Sequence, residues 1–219
     1  MDETREGVTV ISTDGLHLEG LLQTPPSARA AVVFCHPHPQ MGGTMNAPLL
    51  DAVCGYLHRR GWAVLRFNFR GIGASEGESS TGEAEVADAR GALAEVGRRL
   101  PGLPRAIAGW SFGGAVAVRT AIVEPDVQAC VGIAPAVLAK PGVTAGLPDA
   151  AEMRPDLPLL LVAGANDRQI VPDDVRAWAA AAAAAYAELP GANHLFWGKY
   201  DDLAATVTSF LESTVLERR

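Results

Sequence analysis

The sequence predicts an α/β fold: a mostly parallel central sheet, helices on both of its faces, and an antiparallel hairpin at the N-terminus. Two observations carry this. Alternating apolar residues over 8–12 and 16–22 flank Asp14-Gly15, a residue pair that turns hairpins. From Ala30 onward, short continuous apolar runs of strand length alternate with longer segments of helical spacing. Such runs lack the polar alternation of a half-wet strand and suit strands covered on both faces.

The elements follow in order. After a loop at Thr24 to Ser27, residues 30–35 read as a buried strand. Residues 46–60 place Leu49, Leu50, Val53, Tyr56 and Leu57 at helical spacing, with Gly61 as the C-terminal stop. Strands at 62–67, 105–108, 127–133, 157–163 and 186–189 then alternate with helices at 83–100, 112–123, 172–183 and 200–216. Pro172 suits the first turn of its helix. The alanine run at 179–185 predicts continued helix packed closely on the sheet, because alanine has the best helix propensity. Residues 136–156 are the least regular stretch, a loop too short for a separate domain.

With 219 residues the chain fits one domain with no interdomain linker, large enough for a core without metal or disulfide staples. A net charge of −7 without a basic run excludes the electrostatic footprint of nucleic-acid or anionic-membrane binding. No stretch has the length and apolarity of a transmembrane helix. The charged opening lacks the basic and apolar regions of a secretory leader. Three cysteines, Cys35, Cys54 and Cys130, are odd in number and not closely spaced, and read as buried thiols. Together these features predict a cytoplasmic protein.

The chemistry centres on Gly109-Trp110-Ser111-Phe112-Gly113, which matches Gly-x-Ser-x-Gly between a strand and a helix. That pattern makes a sharp turn exposing the serine oxygen above a sheet, with glycines where strand and helix approach too closely for a Cβ. A serine nucleophile needs a base, and the base an orienting acid, in the chain order Ser, Asp or Glu, His. His194 is the only histidine after Ser111, and Asp167 lies in a loop just after a strand. Asp173, Asp174 and Glu188 compete for the acid role, although the two aspartates also suit the first turn of a helix. Ser75, His17 and His58 read as structural or surface residues. Gly71 and Gly73 lack the context of a dinucleotide-binding turn.

His36-Pro37-His38-Pro39, at a strand end, has two readings. Paired histidines could ligate a metal, but no third ligand is suggested nearby. Alternatively the loop supplies an oxyanion donor, partnering the backbone N–H of Phe112. Proline has no N–H, which leaves His38 as the leading donor and Gln40 as the alternative.

These motifs resemble the α/β-hydrolase superfamily over essentially the whole chain. His36-Pro37-His38-Pro39 stands where many members carry His-Gly-x-Pro, Arg70-Gly71-Ile72-Gly73-Ala74-Ser75 resembles the Arg-Gly-x-Gly-x-Ser turn, and residues 109–113 resemble the nucleophile elbow. Together with Gly42-Gly43-Thr44-Met45-Asn46 and residues 66–71, they resemble small bacterial serine hydrolases without a large lid. Pro37 replaces a common glycine, and Asn68 a common aspartate that would anchor a loop. Dienelactone hydrolases share the layout with a cysteine nucleophile, where this chain has Ser111.

The resemblance implies a single α/β-hydrolase domain over 1–219 with no large cap. It implies a carboxylesterase-like serine hydrolase with Ser111, Asp167 and His194 as triad and Phe112 and His38 as oxyanion donors. It requires no cofactor and no metal, and its expected partner is a small-molecule acyl ester. Thioesterase, acyltransferase or peptidase chemistry would use the same triad, and a non-enzymatic binding protein on this scaffold is the alternative of another class.

Overall fold

Six-residue strands with every side chain buried belong in the middle of a sheet covered on both faces. The computed structural model, which describes residues 4–217, has three of them: β3 (Ala30–Cys35), β4 (Trp62–Phe67) and β7 (Leu159–Gly164). The other strands are β1 (Thr4–Ile11), β2 (His17–Thr24), β5 (Arg105–Trp110), β6 (Val127–Ile133) and β8 (Ala185–Leu189). The helices are α1 (Pro48–Arg59), α2 (Glu85–Arg99), α3 (Phe112–Val123), α4 (Pro172–Ala181) and α5 (Tyr200–Leu211).

The eight strands form one sheet in the order β1-β2-β4-β3-β5-β6-β7-β8. β1 pairs antiparallel with β2, and β2 antiparallel with β4; all other pairs are parallel. Helices α2, α3 and α4 build a core on one face, and α1 and α5 on the other. No described helix is long and apolar enough to cross a membrane. The chain runs from β3 outward to β4 and then crosses to β5 on the opposite side of β3. That reversal makes the C-terminal ends of β3 and β5 a topological switch point, where open α/β sheets leave a crevice for ligands.

The structure corrects the alanine run. Helix α4 ends at Ala181, and β8 already begins at Ala185. Ala183 adopts φ 52°, Ala184 N–H donates to Ala179 O at 2.8 Å, and Ala183 N–H to Ala180 O at 3.3 Å. This is a Schellman stop built on alanine where glycine is usual. The pairing of β8 with β7 overrides propensity, because the chain must turn here to enter the sheet. The other shifts are at element ends: β1 extends back to Thr4 through its pairing with Thr24, and 212–216 continues α5 as a short π-turn.

Candidate active site

Ser111 stands between β5 and α3 with φ 57° and ψ −118°. Such a torsion is strained for a serine and persists because its surroundings fix it. Ser111 N–H donates to Ile133 O at 2.8 Å, and Ser111 O accepts from Ala136 N–H at 3.1 Å. The flanking glycines are steric requirements. A Cβ on Gly109 would lie 2.1 Å from Gly113 O, and one on Gly113 would lie 2.3 Å from His36 O. The strand, the following helix and the loop after β3 therefore meet at this turn.

Ser111 Oγ lies 3.1 Å from His194 Nε2, and His194 Nδ1 lies 2.7 Å from Asp167 Oδ2. The carboxylate accepts from Nδ1–H, which leaves Nε2 free to accept from the serine hydroxyl. Asp167 is held in turn: its Oδ1 accepts the N–H groups of Gln169 at 2.8 Å and Ile170 at 2.9 Å. His194 is fixed through its carbonyl, which accepts Trp110 Nε1–H at 3.1 Å. Trp110, the variable residue before the serine, thus reaches the histidine loop, a link that sequence reasoning missed. Of the competing acids, Asp173 and Glu188 both pair with Arg176, and Glu188 also accepts from the Tyr186 hydroxyl.

Both imidazoles of the loop after β3 are committed to the protein. His36 is fully buried; Phe69 N–H donates to its Nε2 at 3.0 Å, and its Nδ1–H donates to Pro37 O at 2.7 Å. Burial lowers its pKa to about 4. His38 Nε2–H donates to Val143 O at 3.0 Å, and its Nδ1 accepts Gln40 N–H at 3.2 Å. Each ring thus uses both nitrogens within the fold. The Gln40 N–H is spent on His38, which disfavours it as an oxyanion donor. Phe112 opens α3, where first-turn N–H groups lack intrahelical acceptors and carry the positive end of the helix dipole.

Supporting residues tie the surrounding loops together. Asn68 Oδ1 accepts Met45 N–H at 2.9 Å and its Nδ2–H donates to Glu19 at 2.7 Å, so it anchors the 42–46 loop. Ser75 donates to Asn68 O at 2.7 Å, and Arg70 clamps buried Asp88 together with Asp14. The nearby thiol of Cys35 is buried, and burial pushes its pKa up, as it pushes Cys54 up to about 12. Neither offers a thiolate at neutral pH.

Two cavities meet at Ser111 and His194. One, of about 590 Å³, is walled by residues of 136–144 and 168–174. The other, of about 370 Å³, is walled by residues of 41–48 with Trp110 and Leu195. Segment 136–156 is a fixed wall: Arg119 donates to Ala145 O and Gly146 O at 2.9 Å each, and Trp178 Nε1–H to Pro148 O at 2.9 Å. With His38 on Val143, these bonds tie it to α3, α4 and the loop after β3.

Comparison with known proteins agrees with this architecture. The family model described as "Serine aminopeptidase, S33", a hydrolase family, matches residues 26–155. The Rickettsia prowazekii protein RP471 is 30% identical over 197 residues, covering 86% of this chain and 80% of its own. An alpha-beta serine hydrolase homologue from Coxiella burnetii superposes with a TM-score of 0.83 at 27% identity, covering 96% of this chain and 99% of that one. In fold, the chain is also similar to a serine hydrolase without a lid from Xanthomonas campestris, with a TM-score of 0.82, 24% identity, and 98% and 97% coverage. An elbow serine at the switch point of this sheet, and a family match over more than half of the sequence, make this chain a member of the α/β-hydrolases of the S33 type.

Proposed function

We propose that this protein hydrolyses carboxylic esters through an acyl-enzyme on Ser111. One observation carries the reading: the hydrogen-bonded series from Ser111 Oγ to His194 (3.1 Å) to Asp167 (2.7 Å), opening into two cavities. Ser111 Oγ attacks the carbonyl carbon while His194 Nε2 takes the hydroxyl proton. Asp167 keeps the imidazole in the required tautomer and stabilises the imidazolium. The backbone N–H groups of Phe112 and His38 hold the oxyanion. Its collapse expels the alcohol, which receives the proton from His194. A water molecule, deprotonated by His194, then attacks the acyl carbon, and the second collapse releases the acid and restores Ser111.

Thioesters and amides can pass through the same steps. An aminopeptidase must also hold a substrate ammonium, which calls for acidic groups. The larger cavity instead carries Lys140 and Arg168 against Asp174, and this favours esters over N-terminal peptides. The fixed wall at 136–156 supports an open site that acts on soluble short esters without interfacial activation.

The test is turnover of p-nitrophenyl acetate, butyrate and hexanoate by the wild type and by Ser111→Ala. The wild type is expected to turn over at least one of them. The variant is expected to lose about 10⁴-fold or more in kcat. Turnover that persists in Ser111→Ala, or a wild type no faster than buffer on all three, would overturn the proposal.

A further inference from the structure

The larger cavity carries charge for which the acyl-transfer steps have no use. Lys140 and Arg168 line it, yet neither side chain has a hydrogen-bond or ion-pair partner among the described residues. Most of the described arginines pair with a carboxylate, as Arg70 does with Asp88 and Arg176 with Asp173. The other lysine, Lys199, pairs with Asp202. Both of these cations sit on held backbone. Lys140 N–H donates to Thr144 O at 2.7 Å, and Arg168 lies between Asp167 and the two N–H groups that Asp167 Oδ1 accepts. The same cavity, which Ser111 also lines, has Phe112, Val137, Val143 and Ile170 in its wall, so an apolar stem has surface to lie on. Asp174 is on the same wall and leaves one cation in excess, in a chain whose net charge is −7.

We propose that the arm of the ester entering this cavity ends in a carboxylate, held by Lys140 and Arg168 beyond an apolar stem. The proposal rests on the ester-hydrolase reading and narrows its substrate class. A guanidinium presents parallel N–H donors that match a carboxylate, and an ammonium adds a point charge. One excess positive charge suits a single carboxylate.

The test compares matched esters. Mono-p-nitrophenyl adipate against p-nitrophenyl hexanoate puts the carboxylate on the acyl arm. 4-Carboxyphenyl butyrate against phenyl butyrate puts it on the alcohol arm. The wild type is expected to prefer the anionic member of one pair by about tenfold in kcat/KM at low salt, mainly through KM. Raising NaCl from about 50 to 500 mM should shrink that preference, since exposed charges are screened. The doubly substituted Lys140→Gln, Arg168→Gln chain should lose it, read as the ratio within the pair. Hydrolysis of the neutral esters with no anionic preference on either arm refutes this proposal and leaves the hydrolase reading standing. A preference that survives salt and both substitutions also refutes it. Failure on all four esters together with an unreactive Ser111 refutes the hydrolase reading and this proposal with it.

Discussion

Lowering the pH should destabilise this protein through His36 in a window set by its burial. The folded chain holds this imidazole at about 4, because burial disfavours the charged form. In the unfolded chain it titrates near 6.5. Between those values the unfolded chain takes up a proton that the folded chain refuses, so the His36 contribution to stability falls as pH drops from 6.5 to 4 and levels off below. The full difference is about 3 kcal/mol, most of it lost by pH 4.5. Protonating Nε2 would also break its bond from Phe69 N–H at the base of the loop that carries His38. Urea unfolding between pH 7 and 4.5, on the wild type and on His36→Gln, isolates this contribution. Glutamine keeps an acceptor for Phe69 but does not titrate, so subtracting the variant's pH dependence removes the carboxylates common to both. The wild type should lose about 2–3 kcal/mol more than the variant over that range. Equal losses in the two proteins would show that His36 is not the source of the pH dependence.

Asp167→Asn should lower kcat by about 10⁴-fold with an unchanged fold, because asparagine favours the wrong imidazole tautomer; kcat within tenfold of wild type would move the acid role elsewhere. His38 has φ −53°, a torsion that proline shares, so His38→Pro should keep the loop path and, beside His38→Ala, which lacks the same imidazole, lose a further factor of about 10²–10³ in kcat with the backbone N–H. His38→Ala keeps that N–H but orphans Gln40 N–H and Val143 O; it should cost about 1–3 kcal/mol in urea unfolding and little in kcat on short esters. Ala183→Gly should raise stability by about 1 kcal/mol, or about 2–4 °C in Tm by calorimetry, by relieving the left-handed torsion.

Much of this molecule was legible in the sequence because its local signals agree with its tertiary demands. Gly109 and Gly113 mark the elbow since no Cβ fits at either position, and the apolar runs at β3, β4 and β7 mark buried strands. The order of Ser111, Asp167 and His194 was enough to name three residues that the structure then brings within hydrogen-bond reach. What escaped was set by contacts distant in the chain. Nothing near His36 signals that its acceptor role serves Phe69, nor does anything near His38 signal Val143. The alanine run carries no turn residue, so only the pairing of β8 with β7 shows where α4 must stop. The charge left unpaired at Lys140 and Arg168 emerges only when loops far apart in sequence share a cavity wall.

Activation of Ser111 by His194 is open to covalent labelling. A fluorophosphonate probe should react with the folded wild type, and peptide mass spectrometry should place the adduct on Ser111. Ser111→Ala should not label, and His194→Ala should label far more slowly at an unchanged Tm. A folded wild type that stays unlabelled, or an adduct on another residue, would rule out Ser111 as the nucleophile.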